Sequence, residues 1–308
     1  MCNIYAIGEI VYDIIFRNAK PVQANPGGSM LNSAVSLSRT GLPVFFIGET
    51  GSDEVGCIIN SFLTQNKVKT DYIQVYTNKK SSIALAFLDD KNDASYVFYK
   101  DYPKQRLTLE LPKTKEGDIV LFGSSFALNI DVRNTLCEFI HEAKKNGATI
   151  IYDPNFRKQT SEKEALIKLV KENISLADIV RGSDEDFQNI FGISDDSILY
   201  KLVEDNGCNH LIITKNACSI KIQTPSFEKQ IKVPKINTIS TIGAGDNFNA
   251  GIIYGLQKQN SKRSDLGLIS PKQWDIIMET GIAFASHVCE SLDNYISTEF
   301  AEKFATEK

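Results

Sequence analysis

Apolar and polar positions along this chain change period repeatedly, and the changes mark out its elements. "DIVLFG" (118–123) is a continuous apolar run of strand length. "DVRNTLCEFIHEAKKNG" (131–147) carries apolar positions at helical spacing, with Asp131 predicted as its cap and Gly147 as its stop. "ATIIYD" (148–153) returns to strand, and "SEKEALIKLVKEN" (161–173) opens with Ser161 and Glu164 at capping-box spacing. "DIVRG" (178–182), helices around 187–191 and 197–206, and "LIIT" (211–214) continue the alternation. Strands alternating with helices of this length predict an α/β fold, a parallel sheet covered on both faces.

Two stretches break the rhythm. "SSIALAFLDDKNDASYVFYK" (81–100) has two β-rich arms around "DDKND", which predicts an antiparallel hairpin. "IVYDIIFRN" (10–18) reads as a strand pair or an edge rather than a helix. Such pieces either form a flap over one edge of the sheet, as active-site lids do, or merely extend it.

Composition narrows the class. At 308 residues the chain is one large domain, expected to span 1–308 with lid segments near 10–18 and 81–100. Hydrophobic residues at 42% and charged residues at 23% are ordinary for a soluble globular protein. The formal charge is 34 − 38 = −4, and no basic run occurs, which argues against a nucleic-acid or anionic-membrane partner. The opening "MCNIYAIGEIVYDIIFRN" lacks a basic leader, and Glu9 and Asp13 interrupt its apolar residues, so neither a signal peptide nor a membrane span is expected. Six cysteines without a Cys-x-x-Cys pair indicate neither zinc nor a disulfide framework. Buried reduced thiols and a cytoplasmic location are expected instead. The three histidines are read as ordinary packing or surface positions.

Candidate chemistry gathers in three places. In "STIGAGDNFNAGIIYGL" (240–256), Gly243, Ala244 and Gly245 run into Asp246 at the head of a helical pattern. Glycines at a helix entrance let free N–H groups converge on an anion. The carboxylate is either an ordinary first-turn acid or a base held beside that anion. In "NPGGSMLNSAVSLSRTG" (25–41), Gly27 and Gly28 permit a close backbone approach, and Ser29 is predicted to cap a helix. Asn32 in its first turn is either solvated or matched to the hydroxyls of a ligand. In "YDPNFRK" (152–158), Asp153, Asn155 and Arg157 follow a strand, where doubly wound sheets bind ligands and where plain turns also favour Asp-Pro-Asn. Phosphate loops of the G-x-x-x-x-G-K-[ST] type are absent, and "GAGDNF" lacks the third glycine of a dinucleotide fingerprint.

The pair "PGGSMLNSAVSLSRTGLPVFFIGETGSDEVG" and "STIGAGDNFNAGIIYGL" resembles, in order and separation, the two signature regions of the ribokinase-like sugar kinases, the PfkB family. The resemblance covers essentially the whole chain. It implies a three-layer sandwich with a mostly parallel sheet and a small β-lid, and transfer of phosphate from magnesium-ATP to a sugar hydroxyl. By the same resemblance Asp246 is the base, and Gly243, Ala244 and Gly245 form the anion hole. Asp13, Gly27, Gly28, Asn32, Phe98, Lys100 and Arg157 fall on the sugar side, and Ser183, Asp186, Thr214, Asn216 and Ile242 on the nucleotide side. Asp186 is expected to reach magnesium through water. "FYK" (98–100) and "DPNFR" (153–157) are most similar to the fructokinase and 2-keto-3-deoxygluconate kinase branch. That branch usually has Arg where Lys100 stands, so the resemblance favours a neutral sugar.

Three positions depart from the family pattern. Its N-x-x-E reads "SDED" here, its T-x-G-x-x-G reads "TKNACS", and its Asp-Thr before the anion hole reads Ser240–Thr241. Relatives that bind potassium use a carboxylate at the Ser240 position and carbonyls near a late Gly-Ala turn. "CESLDNYIS" replaces that turn, so a monovalent cation is not expected to be required, unless Glu290 or Asp293 supplies the charge. Lid hairpins in the family can pair between subunits, so a homodimer through the lid fits the resemblance.

Overall fold

The computed structural model describes residues 2–88, 94–156, 163–215 and 217–306. In chain order its strands are β1 (Ile4–Ile7), β2 (Val11–Arg17), β3 (Lys20–Gly27), β4 (Val44–Gly51), β5 (Lys69–Tyr76), β6 (Ile83–Leu88) and β7 (Ala94–Tyr99). They continue as β8 (Ile119–Gly123), β9 (Thr149–Asp153), β10 (Ile179–Ser183), β11 (Leu211–Lys215), β12 (Ser219–Gln223) and β13 (Glu228–Lys232). The helices are α1 (Ser29–Arg39), α2 (Glu54–Gln65), α3 (Ile130–Lys145), α4 (Lys163–Leu176), α5 (Asp184–Phe191), α6 (Asp196–Asp205), α7 (Ala244–Lys258), α8 (Pro271–Cys289) and α9 (Thr298–Thr306).

Nine strands form the main sheet in the order β13-β12-β11-β10-β9-β8-β1-β4-β5. From β11 to β5 every neighbouring pair is parallel, and β12 and β13 close the other end antiparallel. Alternate residues of each strand enter opposite layers, as the pleat requires. Ile4, Ala6, Ile119, Leu121, Ile179 and Ile212 pack with α1, α2, α7, α8 and α9. Tyr5, Ile7, Val120, Phe122, Val180 and Ile213 pack with α3 to α6. Burial on both faces explains why the central strands read as unbroken apolar runs, each buried side chain contributing about 1.5–3 kcal/mol. The expected sandwich is present.

A second sheet, in the order β3-β2-β6-β7, is the lid. β2 and β3 leave the chain after the carboxyl end of β1, and β6 and β7 after that of β5, so the lid stands at the ligand-binding end of the parallel sheet. The expected hairpin is the antiparallel pair β6–β7; its "DDKND" turn, residues 89–93, lies outside the described residues, as does Ser161 of the expected capping box. The 10–18 stretch is one strand, paired with the unforeseen β3.

Two caps differ from expectation. The Asn129 side chain, not that of Asp131, caps α3 by accepting from Asp131 N. Gly28, not Ser29, is the N-cap of α1, and no side chain bonds there. The thiols are less buried than expected: all six are free, but Cys57 and Cys218 are exposed and only Cys208 is fully buried.

Candidate active site

Gly243 begins the site, in the left-handed region at φ 79° as the N-cap of α7. A Cβ there would also lie 2.9 Å from the carbonyl oxygen of Asn294, so both conformation and space select glycine. Ala244 N donates back to Thr241 O (3.3 Å), and Ile242 N to Ser240 Oγ (3.2 Å), tightening the turn. The first-turn amides that follow lack an acceptor within the helix and stand at the positive end of its dipole. Such a turn is suited to receive an anion.

Asp246 sits in that first turn, 4% exposed. Asn32 Nδ2 donates to its Oδ2 (2.8 Å), and Asn155 Nδ2 approaches Oδ1 (3.3 Å). Ser33 Oγ, from α1, donates to the Asp246 carbonyl (2.7 Å). Two amides from distant parts of the chain thus hold the two carboxylate oxygens. Asn32 is not solvated: it is 4% exposed, and its Oδ1 has no partner among the described residues. Asn155 reaches Asp246 from a left-handed conformation (φ 37°), which Asn tolerates better than most residues.

On the acceptor side, the glycine pair serves close approach. A Cβ on Gly28 (φ 123°) would lie 2.2 Å from the Glu9 carbonyl, and one on Gly27 2.0 Å from Asp13 Oδ2. The glycines therefore let Glu9 and the lid residue Asp13 close on the start of α1. Strand register puts Asp13, Ala84 and Phe98 on one face of the lid. Lys100 Nζ lies 2.6 Å from Glu9 Oε1 and 5.3 Å from the Phe98 ring centre, and Ser125 Oγ donates to Glu9 Oε2 (3.3 Å). Arg157 lies outside the described residues.

On the other side, Ser183 and Asp186 form a capping box at the head of α5. Ser183 N (2.8 Å) and Oγ (2.6 Å) donate to Asp186 Oδ2, and Phe156 N donates to Oδ1 (2.7 Å). Burial, and then the charge of Asp153, hold the Asp186 carboxyl above the ordinary aspartate range. Thr214 is the penultimate residue of β11, its Oγ1 accepting from Arg181 Nη2 (2.9 Å). Asn216 lies outside the described residues. Among the described residues no cluster of three His, Cys, Asp or Glu side chains could hold a metal by itself.

Asp153, offered to a ligand by its place at the end of β9, instead sits in a buried network with Arg181 and Asn249, and these two and Asn247 the sequence reading missed. Asp153 is fully buried and accepts from Arg181 Nη1 (2.8 Å), Asn249 Nδ2 (2.6 Å) and Asn155 N (2.9 Å). Asn247 Nδ2 donates to both Gly243 O and Asn294 O, each at 2.8 Å. The signal available for Arg181 was a charge inside the otherwise uncharged strand "IVRGS".

The model of the pfkB family carbohydrate kinases matches residues 1–295. The chain belongs to that family. Fructokinase of Vibrio alginolyticus is 26% identical over 89% of this chain and 90% of its own. The fold matches fructokinase of Xylella fastidiosa, solved with bound ATP, at a TM-score of 0.85 and 21% identity, over 99% of this chain and 98% of that one. It also matches a double mutant of Vibrio cholerae O395 fructokinase, solved with fructose, ADP and a potassium ion, at 0.83 and 21%, over 96% and 94%. This pfkB-family chain is a sugar kinase, and the family implies ATP and a divalent metal. No helix among the described residues is long and apolar enough to cross a membrane.

Proposed function

We propose that this kinase transfers the γ-phosphate of ATP to a primary hydroxyl of a neutral ketohexose such as fructose. The observation that carries this reading is Asp246, held at the head of α7 by Asn32 and Asn155 beside the Gly243–Gly245 turn. Amides of 243–246 receive the transferring phosphoryl group, whose charge spreads over its oxygens. A carboxylate is too weak a base to remove an alcohol proton in advance. In a loose transition state it orients the hydroxyl and takes the proton as the new P–O bond forms.

Two observations support a neutral sugar. Asp13 places a carboxylate on the sugar face of the lid, which suits hydroxyl donors and repels an acid. Lys100, a basic residue of the sugar side among the described residues, is already paired with Glu9 at 2.6 Å. Magnesium, supplied with the nucleotide, neutralises phosphate charge. Asp186 oxygens are engaged by Ser183 and Phe156 and would meet the ion through water. The free thiols support a reducing compartment, the cytoplasm.

The test is ADP release from ATP against a panel of sugars, with the phosphorylated carbon located by NMR. Fructose is expected to turn over. Strong activity on 2-keto-3-deoxygluconate with none on fructose would overturn the substrate reading.

A further inference from the structure

We propose that Arg181 is a positioning residue for phosphoryl transfer, its guanidinium seated directly behind the anion-hole turn and bridging the acceptor and donor halves of the site. The proposal rests on Gly243–Asp246 being that anion hole.

Arg181 lies in β10 between apolar neighbours, and its side chain is 7% exposed. A cation buried in a central strand is costly and persists only with close partners. Its Nη1 donates to Asp153 Oδ2 (2.8 Å) and its Nη2 to Thr214 Oγ1 (2.9 Å). Asp153 belongs to the acceptor side, because it also holds Asn155 N, and Asn155 in turn approaches Asp246. Thr214 lies near the end of the neighbouring strand, on the donor side. The Arg181 Nε is buried with no hydrogen-bond partner among the described residues, so strand closure alone does not account for this side chain.

Gly245 supplies the decisive contact. A Cβ there would lie 2.8 Å from Arg181 Nη1, 3.2 Å from Nη2 and 3.4 Å from Cζ. Its three nearest neighbours would all be guanidinium atoms. Gly245 lies in α7 and is not among the residues with positive φ, so its backbone does not require glycine. The missing side chain is the room the guanidinium fills. A planar positive charge thus presses on the backbone whose amides face the anion. Asp153 Oδ2 is shared between Arg181 Nη1 and Asn249 Nδ2. Arg181 Cζ also lies over the Phe248 ring, 5.4 Å from its centre, a cation–π contact.

The test compares Arg181→Met, Arg181→Lys and the double variant Arg181→Met with Asp153→Asn, which removes both members of the pair. Each is measured for melting temperature, kcat, KM for fructose, and binding of two probes. One probe is ADP with magnesium; the other adds aluminium fluoride and fructose to mimic the transferring phosphoryl group. For Arg181→Met, kcat is expected to fall about 10²-fold, the scale for losing one electrostatic group at a developing oxyanion. KM for fructose should stay within about threefold, and the aluminium fluoride probe should bind at least about tenfold more weakly while ADP alone does not, on the same scale. Arg181→Lys should recover part of kcat. If Arg181→Met fails to fold, the double variant decides: a recovered melting temperature with kcat still about 10²-fold down supports the proposal. Recovery of kcat together with melting temperature would show a purely structural pair and overturn it. So would equal weakening of both probes. Asp246→Asn run in parallel separates the two premises, since a normal rate there would remove Asp246 from the base role and with it the reason to place the reaction at this turn.

Discussion

Asp246 shows how a weak acid becomes a directed base. Its two oxygens are held by Asn32 and Asn155, residues brought together from 214 and 91 positions away in the chain. Held this way, the carboxylate cannot rotate freely, and the reacting hydroxyl meets a fixed acceptor. Asp246→Asn keeps the shape and removes the charge. It is expected to lower kcat by roughly 10² to 10⁴, about 3 to 5 kcal/mol, with the melting temperature little changed. Steady-state kinetics beside thermal unfolding check this, and a near-wild-type kcat would remove Asp246 from the base role.

At the scale of elements, the turn before α7 is fastened by direct bonds. Ile239 N (2.8 Å) and Ser240 N (3.3 Å) donate to Cys289 O, and the Asn247 amide bridges Gly243 O and Asn294 O. Ser36 Oγ donates to Asn247 Oδ1 and accepts from Ile296 N (3.1 Å), tying the same late segment to α1. Glu290 and Asp293, the acids able to replace a charge at Ser240, are both exposed. We propose that a loop so held needs no cation to order it; a neighbour's structure contains potassium. Exchanging potassium for tetramethylammonium at constant ionic strength is expected to change kcat/KM less than about threefold. A rise of more than about tenfold with potassium, worth about 1.4 kcal/mol, would show that a cation does order this loop. The sequence made the strongly periodic elements legible, such as β8, α3 and β9, because both faces of those strands are apolar. It hid β3, whose "KPVQANPG" carries two prolines and an exposed, polar face, and the antiparallel strands β12 and β13, which are too short and mixed to show a period. The glycine turn and Asp246 were legible because they are contiguous. Asn247 and Arg181 were not, because their roles exist only where β10, α7 and the late segment meet.

For the whole molecule, the lid raises a question of partners. Register places Tyr12, Ile14 and Phe16 of β2 beside Ile83, Leu85 and Phe87 of β6, and these beside Tyr99, Val97 and Ser95 of β7. That face is turned away from Asp13 and Phe98, and it is almost entirely apolar. Phe87 at 38%, Val97 at 46% and Tyr99 at 59% remain open to solvent in the single chain. A contiguous apolar sheet face of this kind marks an interaction surface, and a second copy of the same lid is self-complementary to it under twofold symmetry. We therefore expect a homodimer joined through the lids, each holding the other's sheet rigid above its sugar site. Sedimentation at micromolar concentration should give a dimer, and Phe87→Lys with Val97→Lys should give a monomer, since buried like charges across a twofold axis repel. The monomer should keep its fold, because both side chains lie outside the two cores. Its KM for sugar should rise several-fold, because a lid without its partner orders only when the ligand binds. A monomeric wild type, or a charged variant that stays dimeric, would refute the lid contact.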